Sequence, residues 1–228
     1  MIKNILFDLD DTLLDFKMAE KVALTKTLEW AGITPDQRAI DHYSKINSRQ
    51  WERLEAGEIT RAQVKLSRFE IFFREEGIGA DPAQAAARYE SLLGQGHYWI
   101  PGAQELLENL QGKYRLYLAT NGTASVQHGR MDSAGMKGYF QDIFISEELG
   151  ADKPSLEYFR ICFDRIPDFK PEETLMVGDR LTSDILGGNR AGIATVWYNP
   201  EKLPVPDQPK PTYTITSLDQ LPGLAAEL

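Results

Sequence analysis

Cysteine and histidine are scarce in this chain, which has one cysteine, Cys162, and three histidines. A single cysteine excludes an intrachain disulfide and any cysteine-rich metal site. The histidines, His42, His97 and His128, lack the spacing of metal ligands. A chain that needs no disulfide suits a reducing compartment, so we expect a cytoplasmic protein.

Long apolar runs and positive charge are also lacking. No segment approaches the roughly 20 uninterrupted apolar residues of a membrane span. The chain passes from Met1 almost directly into a strand-like run, so we expect no signal peptide. The 25 lysines and arginines are outnumbered by 34 aspartates and glutamates, giving a formal net charge of −9. This charge argues against a nucleic-acid polymer as partner, whereas a small phosphate ester stays compatible, because a divalent cation can invert the field of an acidic site.

Short apolar segments alternate with helical segments over most of the chain. The strand-like segments are residues 4–7, 114–119, 143–145, 174–177 and 194–198. The helical segments are residues 102–111, 124–134, 155–165 and 183–191. Apolar strands separated by helices are typical of a parallel sheet. We therefore predict an α/β fold with a doubly wound, Rossmann-like parallel sheet.

Residues 16–99 depart from this alternation, because they contain helix signals and no good strand. Thr34-Pro35-Asp36-Gln37 is a capping-box pattern that predicts a helix start with Thr34 as its cap and proline at the first helical position. Further helix starts are predicted at Thr60 and at Asp81-Pro82. These signals indicate an all-helical insert after the first strand. We assign residues 1–15 and 100–228 to the α/β core and residues 16–99 to a helical cap.

Polar residues follow the predicted strands, at the carboxyl edge where ligands bind in open α/β sheets. They are Asp8, Asp10 and Thr12 after the first strand, Thr120-Asn121-Gly122 after the second, Lys153 after the third, and Gly178-Asp179 with Asp184 after the fourth. Asp8 and Asp10 are two residues apart in extended chain, so both side chains can reach one ligand. We expect these groups to converge.

The residue types at this edge suit phosphate chemistry with a hard metal ion. Carboxylates without histidine favour Mg²⁺. A hydroxyl, a lysine and backbone N–H groups at a glycine turn suit phosphate oxygens. Aspartate can attack phosphorus, so one of Asp8 and Asp10 can be the nucleophile while the other handles a proton.

In order and spacing, these motifs resemble the four motifs of the haloacid dehalogenase superfamily, over the whole chain. They are Asp8-Leu9-Asp10-Asp11-Thr12-Leu13, Thr120-Asn121-Gly122, Lys153-Pro154 and Gly178-Asp179 with Asp184. The resemblance implies a phosphatase that depends on Mg²⁺, with Mn²⁺ as a substitute, and that forms a phosphoryl-aspartate intermediate. Asp10 decides against dehalogenation, since the dehalogenase branch lacks that second aspartate.

The resemblance also implies a role for each residue. Asp8 is expected to be the nucleophile, and Asp10 the general acid and base. The implied ligands of the phosphoryl group are Thr120, Asn121, Gly122 and Lys153, of which Thr120 and Lys153 also count as catalytic. The implied metal ligands are Asp8, the Asp10 backbone carbonyl and Asp179, with Asp184 in support.

The cap carries a narrower resemblance, in residues 47–61 and in Arg68-Phe69. These segments are similar to bacterial pyrimidine 5′-nucleotidases, which implies hydrolysis of pyrimidine (deoxy)nucleoside monophosphates. A phosphatase of the same mechanism acting on a sugar phosphate or phosphoglycolate is the alternative. A phospho-aspartate signalling module uses similar groups, but its phosphoacceptor follows a middle strand and it has no helical insert. The sequence does not fix the oligomeric state.

Overall fold

The computed structural model describes residues 1–228, and its main feature is a six-stranded parallel sheet. The strands are β1 (Asn4–Phe7), β2 (Arg115–Thr120), β3 (Asp142–Ile145), β4 (Thr174–Gly178), β5 (Ala194–Tyr198) and β6 (Tyr213–Ile215). Their order is β3-β2-β1-β4-β5-β6, so the chain builds outward on both sides of β1. Every pairing is parallel. The predicted doubly wound, Rossmann-like sheet is therefore confirmed.

Helices follow each of the first four strands along the chain, whereas β5 is joined to β6 without a helix. The helices are α1 (Phe16–Trp30), α2 (Gln37–Glu55), α3 (Arg61–Glu76), α4 (Pro82–Leu93), α5 (Ala103–Leu110), α6 (Ala124–Ala134), α7 (Ser146–Leu149), α8 (Leu156–Asp164), α9 (Leu186–Arg190) and α10 (Leu221–Glu227). A π-helix, Leu181–Ile185, precedes α9, and 3₁₀ turns occupy Lys137–Tyr139, Pro171–Glu173 and Leu218–Gln220. No helix is both long enough and apolar enough to cross a lipid bilayer.

Two apolar cores cover the two faces of the sheet, because neighbouring residues of a strand point to opposite sides. Ile5 and Phe7 of β1 belong to the core that contains α5 and α10 residues such as Leu107 and Leu221. Leu6, between them, belongs to the second core, together with α8 residues. A sheet that is buried on both faces exposes only its edges to ligands.

The chain divides into two compact units, Met1–Asp15 with His97–Leu228, and Phe16–Gly96. The first unit contains the whole sheet, and the second consists of α1 to α4. Our sequence division placed residues 97–99 in the cap, but they belong to the sheet-containing unit. The Asp15 N–H donates to the Tyr98 carbonyl at 2.8 Å, and Leu14 forms a bridge with Trp99. These backbone contacts tie the residues to the end of the first motif.

Capping side chains fix the starts of the helices in the second unit. The Thr60 side chain caps α3 in a capping box with Gln63, and Asp81 caps α4, as predicted. The prediction for α2 was wrong by two residues. Its cap is Asp36 rather than Thr34, because the Asp36 carboxylate accepts the Ala39 N–H at 2.8 Å and satisfies one of the first free donors.

Aromatic rings form the interior of the second unit. Tyr43 of α2 packs against Phe69 and Phe72 of α3 and against Tyr89 of α4, with ring centroids 5.0 to 5.5 Å apart. All four side chains are buried. Rings at these separations contribute favourable edge and tilted contacts beyond the area they bury, so three of the four helices share one aromatic core.

Candidate active site

Asp8 and Asp10 lie just beyond β1, at the carboxyl edge of the sheet. The Asp8 N–H donates to the Val177 carbonyl of β4 at 2.9 Å, so the hydrogen bonding between β1 and β4 still fixes the backbone at Asp8. A tight turn follows, in which the Leu14 N–H returns to the Leu9 carbonyl. The Asp8 side chain is buried, whereas that of Asp10 is 26% exposed. The Asp8 carboxylate is therefore enclosed, whereas that of Asp10 is partly exposed.

The Lys153 side chain contacts Asp8 and is itself buried. Its Nζ donates to Asp8 Oδ1 at 2.7 Å, to Asp184 Oδ1 at 2.6 Å and to the Ala119 carbonyl at 2.6 Å. Three acceptors match the three donors of an ammonium group. Burial lowers the pKa of Lys153, but the carboxylates of Asp184 and Asp8 outweigh it and hold that pKa above its ordinary value. Lys153 thus stays charged and fixes one oxygen of Asp8.

The loop after β2 holds Lys153 in place. The Asn121 side chain accepts the Lys153 N–H and donates to the Lys153 carbonyl, both at 2.8 Å. The Gly122 N–H donates to Ser146 Oγ at 3.2 Å. Thr120 ends the strand with a buried side chain. Asn121 and Gly122 therefore have a structural role in this loop, and their contact with a phosphoryl group stays a prediction.

Three carboxylates, those of Asp8, Asp179 and Asp184, place one oxygen each within 4.8 Å of the others. Burial, aided by the charges of Asp184 and Asp10, raises the pKa of Asp8 to about 7 against the opposing effect of Lys153. Burial also raises the pKa of Asp179 well above its ordinary value, and the Asp8 carboxylate adds to that effect. Each ionised carboxylate makes the next harder to ionise.

A divalent cation fits this cluster. Its donors are all oxygens, which suits Mg²⁺ better than a softer metal. The cluster brings three acids against one buried lysine, so ionising all of them leaves uncompensated negative charge in a desolvated site. A bound cation would remove that excess. Asp8 and Asp179 are placed to hold it, and the Asp10 backbone carbonyl stays a predicted third ligand.

Asp184 has a supporting position in the π-helix after β4. Besides its contact with Lys153, its Oδ2 accepts the Arg180 N–H at 3.0 Å. The carboxylate lies against Gly178, where a Cβ would approach Asp184 Oδ2 to 2.3 Å. A side chain at position 178 would therefore displace the acid, which explains the glycine at the end of β4. Irregular helices of this type are frequent at functional sites.

Two residues of α6 that were not predicted from the sequence, Gln127 and Arg130, reach the site. The Gln127 amide donates to Asp10 Oδ2 at 2.8 Å and to Thr120 Oγ1 at 2.9 Å, and Arg130 forms an ion pair with Asp10. Glutamine and arginine on a helix usually indicate a solvated surface. The only available signal was their three-residue spacing, which places both on one face of the helix after the Thr120 loop.

Comparisons with known proteins agree with this geometry. A family model described as haloacid dehalogenase-like hydrolase matches residues 2–192. The chain is 42% identical to the pyrimidine 5′-nucleotidase PynA of Streptococcus pneumoniae, over 96% of this chain and 93% of that protein. It is 31% identical to the pyrimidine 5′-nucleotidase YjjG of Escherichia coli, over 96% of each chain.

A solved structure is similar over nearly the whole chain. It is the crystal structure of the HAD-hydrolase YfnB from Bacillus subtilis bound to magnesium, with 41% sequence identity and a TM-score of 0.93. The match covers 98% of this chain and 98% of that one. The fold is thus that of a protein that binds magnesium.

Proposed function

This chain belongs to the haloacid dehalogenase-like hydrolase family and is a phosphoric monoester hydrolase, and from this premise we propose that it is a Mg²⁺-dependent pyrimidine 5′-nucleotidase that works through a phosphoryl-aspartate on Asp8. One observation carries the mechanism. Asp8 is a buried carboxylate with one oxygen fixed by Lys153 at 2.7 Å. Its second oxygen is the atom that attacks.

The first step transfers the phosphoryl group to Asp8. The free Asp8 oxygen forms a bond to phosphorus as the bond to the ester oxygen breaks, and Asp10 gives its proton to that leaving oxygen. Thr120 donates to a phosphoryl oxygen. The Lys153 ammonium, whose three donors are taken by Asp8, Asp184 and the Ala119 carbonyl, offsets the negative charge of the phosphoryl group from its place beside Asp8. Bound Mg²⁺, held by Asp8, Asp179 and the Asp10 carbonyl, would neutralise phosphoryl charge.

The second step releases phosphate. Asp10, now a carboxylate, accepts a proton from water as the water oxygen bonds to phosphorus. The bond between Asp8 and phosphorus breaks, which restores the nucleophile. A partly exposed side chain suits this second task, because Asp10 has to meet both a leaving group and a water molecule.

The choice of nucleotide rests on the cap and on the relatives. Residues 47–61 and Arg68-Phe69 resemble the nucleotidase pattern, and two similar proteins are pyrimidine 5′-nucleotidases. A pocket that reads a base by hydrogen bonds can discriminate strongly, whereas apolar shape alone gives only about 10–200-fold. We therefore expect UMP, dUMP and dTMP to be hydrolysed, and purine monophosphates to be poorer substrates.

The test is a comparison of kcat/KM for UMP, dUMP, dTMP, AMP, ribose 5-phosphate and phosphoglycolate. Activity should disappear in EDTA and return with Mg²⁺ or Mn²⁺. A sugar phosphate or phosphoglycolate that exceeds every nucleotide in kcat/KM would replace the nucleotidase assignment by the alternative. Full activity after complete metal removal would contradict the metal assignment.

A further inference from the structure

One side chain of α6 connects two groups of the proposed mechanism. The Gln127 Nε2 donates to Asp10 Oδ2 at 2.8 Å and to Thr120 Oγ1 at 2.9 Å. Gln127 is buried. An amide NH₂ has two hydrogens, so each of these bonds takes one. The proton-transferring residue and a phosphoryl-binding residue are thereby held from a single nitrogen.

Arg130 determines which way the Gln127 amide faces. Its Nη1 donates to Gln127 Oε1 at 3.3 Å and also contacts Asp10 Oδ1. A guanidinium has donors and no acceptor, so the amide atom facing Arg130 must be the oxygen. The NH₂ group is then turned toward Asp10 and Thr120. Arg130 is fully buried, which keeps this arrangement away from competing water.

The Thr120 hydroxyl receives a defined role from the same contact. A hydroxyl has one hydrogen and two acceptor lone pairs. Because Thr120 Oγ1 accepts from Gln127, its own hydrogen can be donated to a phosphoryl oxygen. An acceptor in place of the Gln127 NH₂ would draw that hydrogen away from the substrate.

Gly122 makes room for the Gln127 side chain. A Cβ at position 122 would lie 2.7 Å from Gln127 Nε2 and 2.8 Å from its Cγ, closer than real Cβ contacts. The glycine of the Thr120-Asn121-Gly122 motif thus lets Gln127 pass close to the backbone on its way to Asp10. The absence of a side chain at position 122 is therefore needed for the Gln127 amide to reach the site.

We propose that Gln127 and Arg130 are positioning residues. Arg130 orients the Gln127 amide, and that amide holds the Asp10 carboxyl and the Thr120 hydroxyl in fixed positions relative to each other. The proposal rests on the proposed function, since it assigns the placement of Asp10 relative to the leaving oxygen. A leaving group that needs a proton depends on this placement. An activated leaving group does not.

The experiment compares kcat/KM for two esters in Gln127→Glu, in Gln127→Met and in the wild type. The parameter kcat/KM reports on events up to departure of the leaving group, so the later attack of water does not enter. UMP, or whichever nucleotide the wild type turns over best, needs protonation, and p-nitrophenyl phosphate needs little. Gln127→Glu keeps the shape and loses both donors, and Gln127→Met keeps the length without charge. Gln141→Glu, at an exposed position of the same unit, is the matched control.

We expect both Gln127 variants to lose about 10–100-fold with the nucleotide, because general acid–base terms are worth about 10²–10⁴-fold and Asp10 is misplaced rather than removed. The loss with p-nitrophenyl phosphate should stay below about 5-fold. Mg²⁺ affinity and the Gln141→Glu variant should match the wild type. The Thr120 contact acts on both esters alike and accounts for the small loss with p-nitrophenyl phosphate, whereas the difference between the esters reports on Asp10. Equal losses with both esters, or a near wild-type rate with the nucleotide, would overturn the positioning of Asp10 by Gln127.

Failure of the proposed function has a different signature. A wild-type protein that hydrolyses neither ester in Mg²⁺ would remove the mechanism, and this inference with it. A wild type that hydrolyses both, with variants that lose both equally, would remove only the inference. If Gln127→Glu does not fold, the comparison is decided by Gln127→Met, whose neutral side chain avoids a buried charge.

Discussion

The sheet-containing unit and the helical unit both bury charged side chains, but they balance them in opposite ways. In the helical unit, buried Glu20 accepts hydrogen bonds from Ser44 and Asn47, and buried Arg68 donates to Asn47 at 3.1 Å and to Glu90 at 3.4 Å. In this network the positive charge of Arg68 is linked to one glutamate directly, Glu90, and to the other, Glu20, through the Asn47 side chain.

The acidic cluster of the sheet-containing unit instead holds an excess of negative charge. Three carboxylates approach one another around a single lysine. Burial, together with the charges of the neighbouring carboxylates, raises the pKa values of Asp8 and Asp179. Buried polar groups that are fully paired stabilise a unique arrangement, while an uncompensated buried charge is costly. The comparison indicates that the helical network serves stability, whereas the acidic cluster is kept for binding a cation and for chemistry.

The largest expected effect is that of Asp8→Asn, which tests whether the acidic cluster serves chemistry at a cost in stability. Asp8→Asn removes the attacking oxygen, so turnover should fall by about 10⁴-fold or more, as for other covalent nucleophiles. The same change should raise the melting temperature of the metal-free protein at pH 8. The folded-state pKa of about 7 exceeds the ordinary 3.8, so the wild-type carboxyl destabilises the fold increasingly as pH rises between these values.

Calorimetry of wild type and Asp8→Asn at pH 4 and pH 8 in EDTA would test the stability part. The gain from the substitution should be large at pH 8 and small at pH 4, where the folded chain keeps the proton and the unfolded chain has lost it only in part. A destabilised Asp8→Asn variant at pH 8 would contradict our description of the cluster as uncompensated charge.

Arg68 should give the opposite result in the helical unit. Arg68→Met removes a buried cation, takes the donor from Asn47 Oδ1 and leaves Glu90 with Lys65 as its ion-pair partner. We therefore expect the free energy of unfolding to fall by about 3–5 kcal/mol. Arg74→Met, on the same helix with a side chain that is 70% exposed, should change it by less than about 0.5 kcal/mol. Urea unfolding of both variants measures this. Equal effects would mean that the buried network contributes nothing beyond surface charge.

The smallest expected effect concerns protons and metal. A carboxyl group must lose its proton before it can bind a cation, and the pKa of the Asp8 carboxyl is about 7 without metal. Mg²⁺ affinity should therefore be about 10-fold tighter at pH 8 than at pH 6. Titration calorimetry at the two pH values would measure it, with Asp8→Asn expected to show a weaker pH dependence. A Mg²⁺ affinity that is independent of pH would contradict the claim that Asp8 must lose a proton to bind the cation.

The strands and the site motifs could be predicted because their signals are local. Buried parallel strands are short apolar runs, and the residues just after each run lie at one edge of the sheet. The contact between Lys153 and Asp184 was also within reach, since both residues belong to motifs. Residues 97–99 were misassigned because their backbone bonds to residues 14–15, a pairing that no local pattern indicates.

Gln127 and Arg130 could not be found in this way. Their burial comes from tertiary contacts of α6 with Asp10 and Thr120, which are 117 and 7 positions away from Gln127. A helix start is decided by which side chain reaches the first free N–H groups, so Asp36 rather than Thr34 caps α2. Local chemistry thus identifies the reacting groups, while the residues that orient them appear only when the chain is folded.

The most direct test of the account is to trap the phosphoryl group on Asp8. Asp10→Asn should slow nucleotide hydrolysis by about 10²–10⁴-fold. With p-nitrophenyl phosphate and Mg²⁺, the first step should still proceed, and the missing base should slow the attack of water. Mass spectrometry of the acid-quenched variant should then show one phosphate on the tryptic peptide between Lys3 and Lys17, with fragment ions placing it on Asp8. A phosphate on any other residue, or hydrolysis of nucleotides by Asp10→Asn at the wild-type rate, would contradict the mechanism.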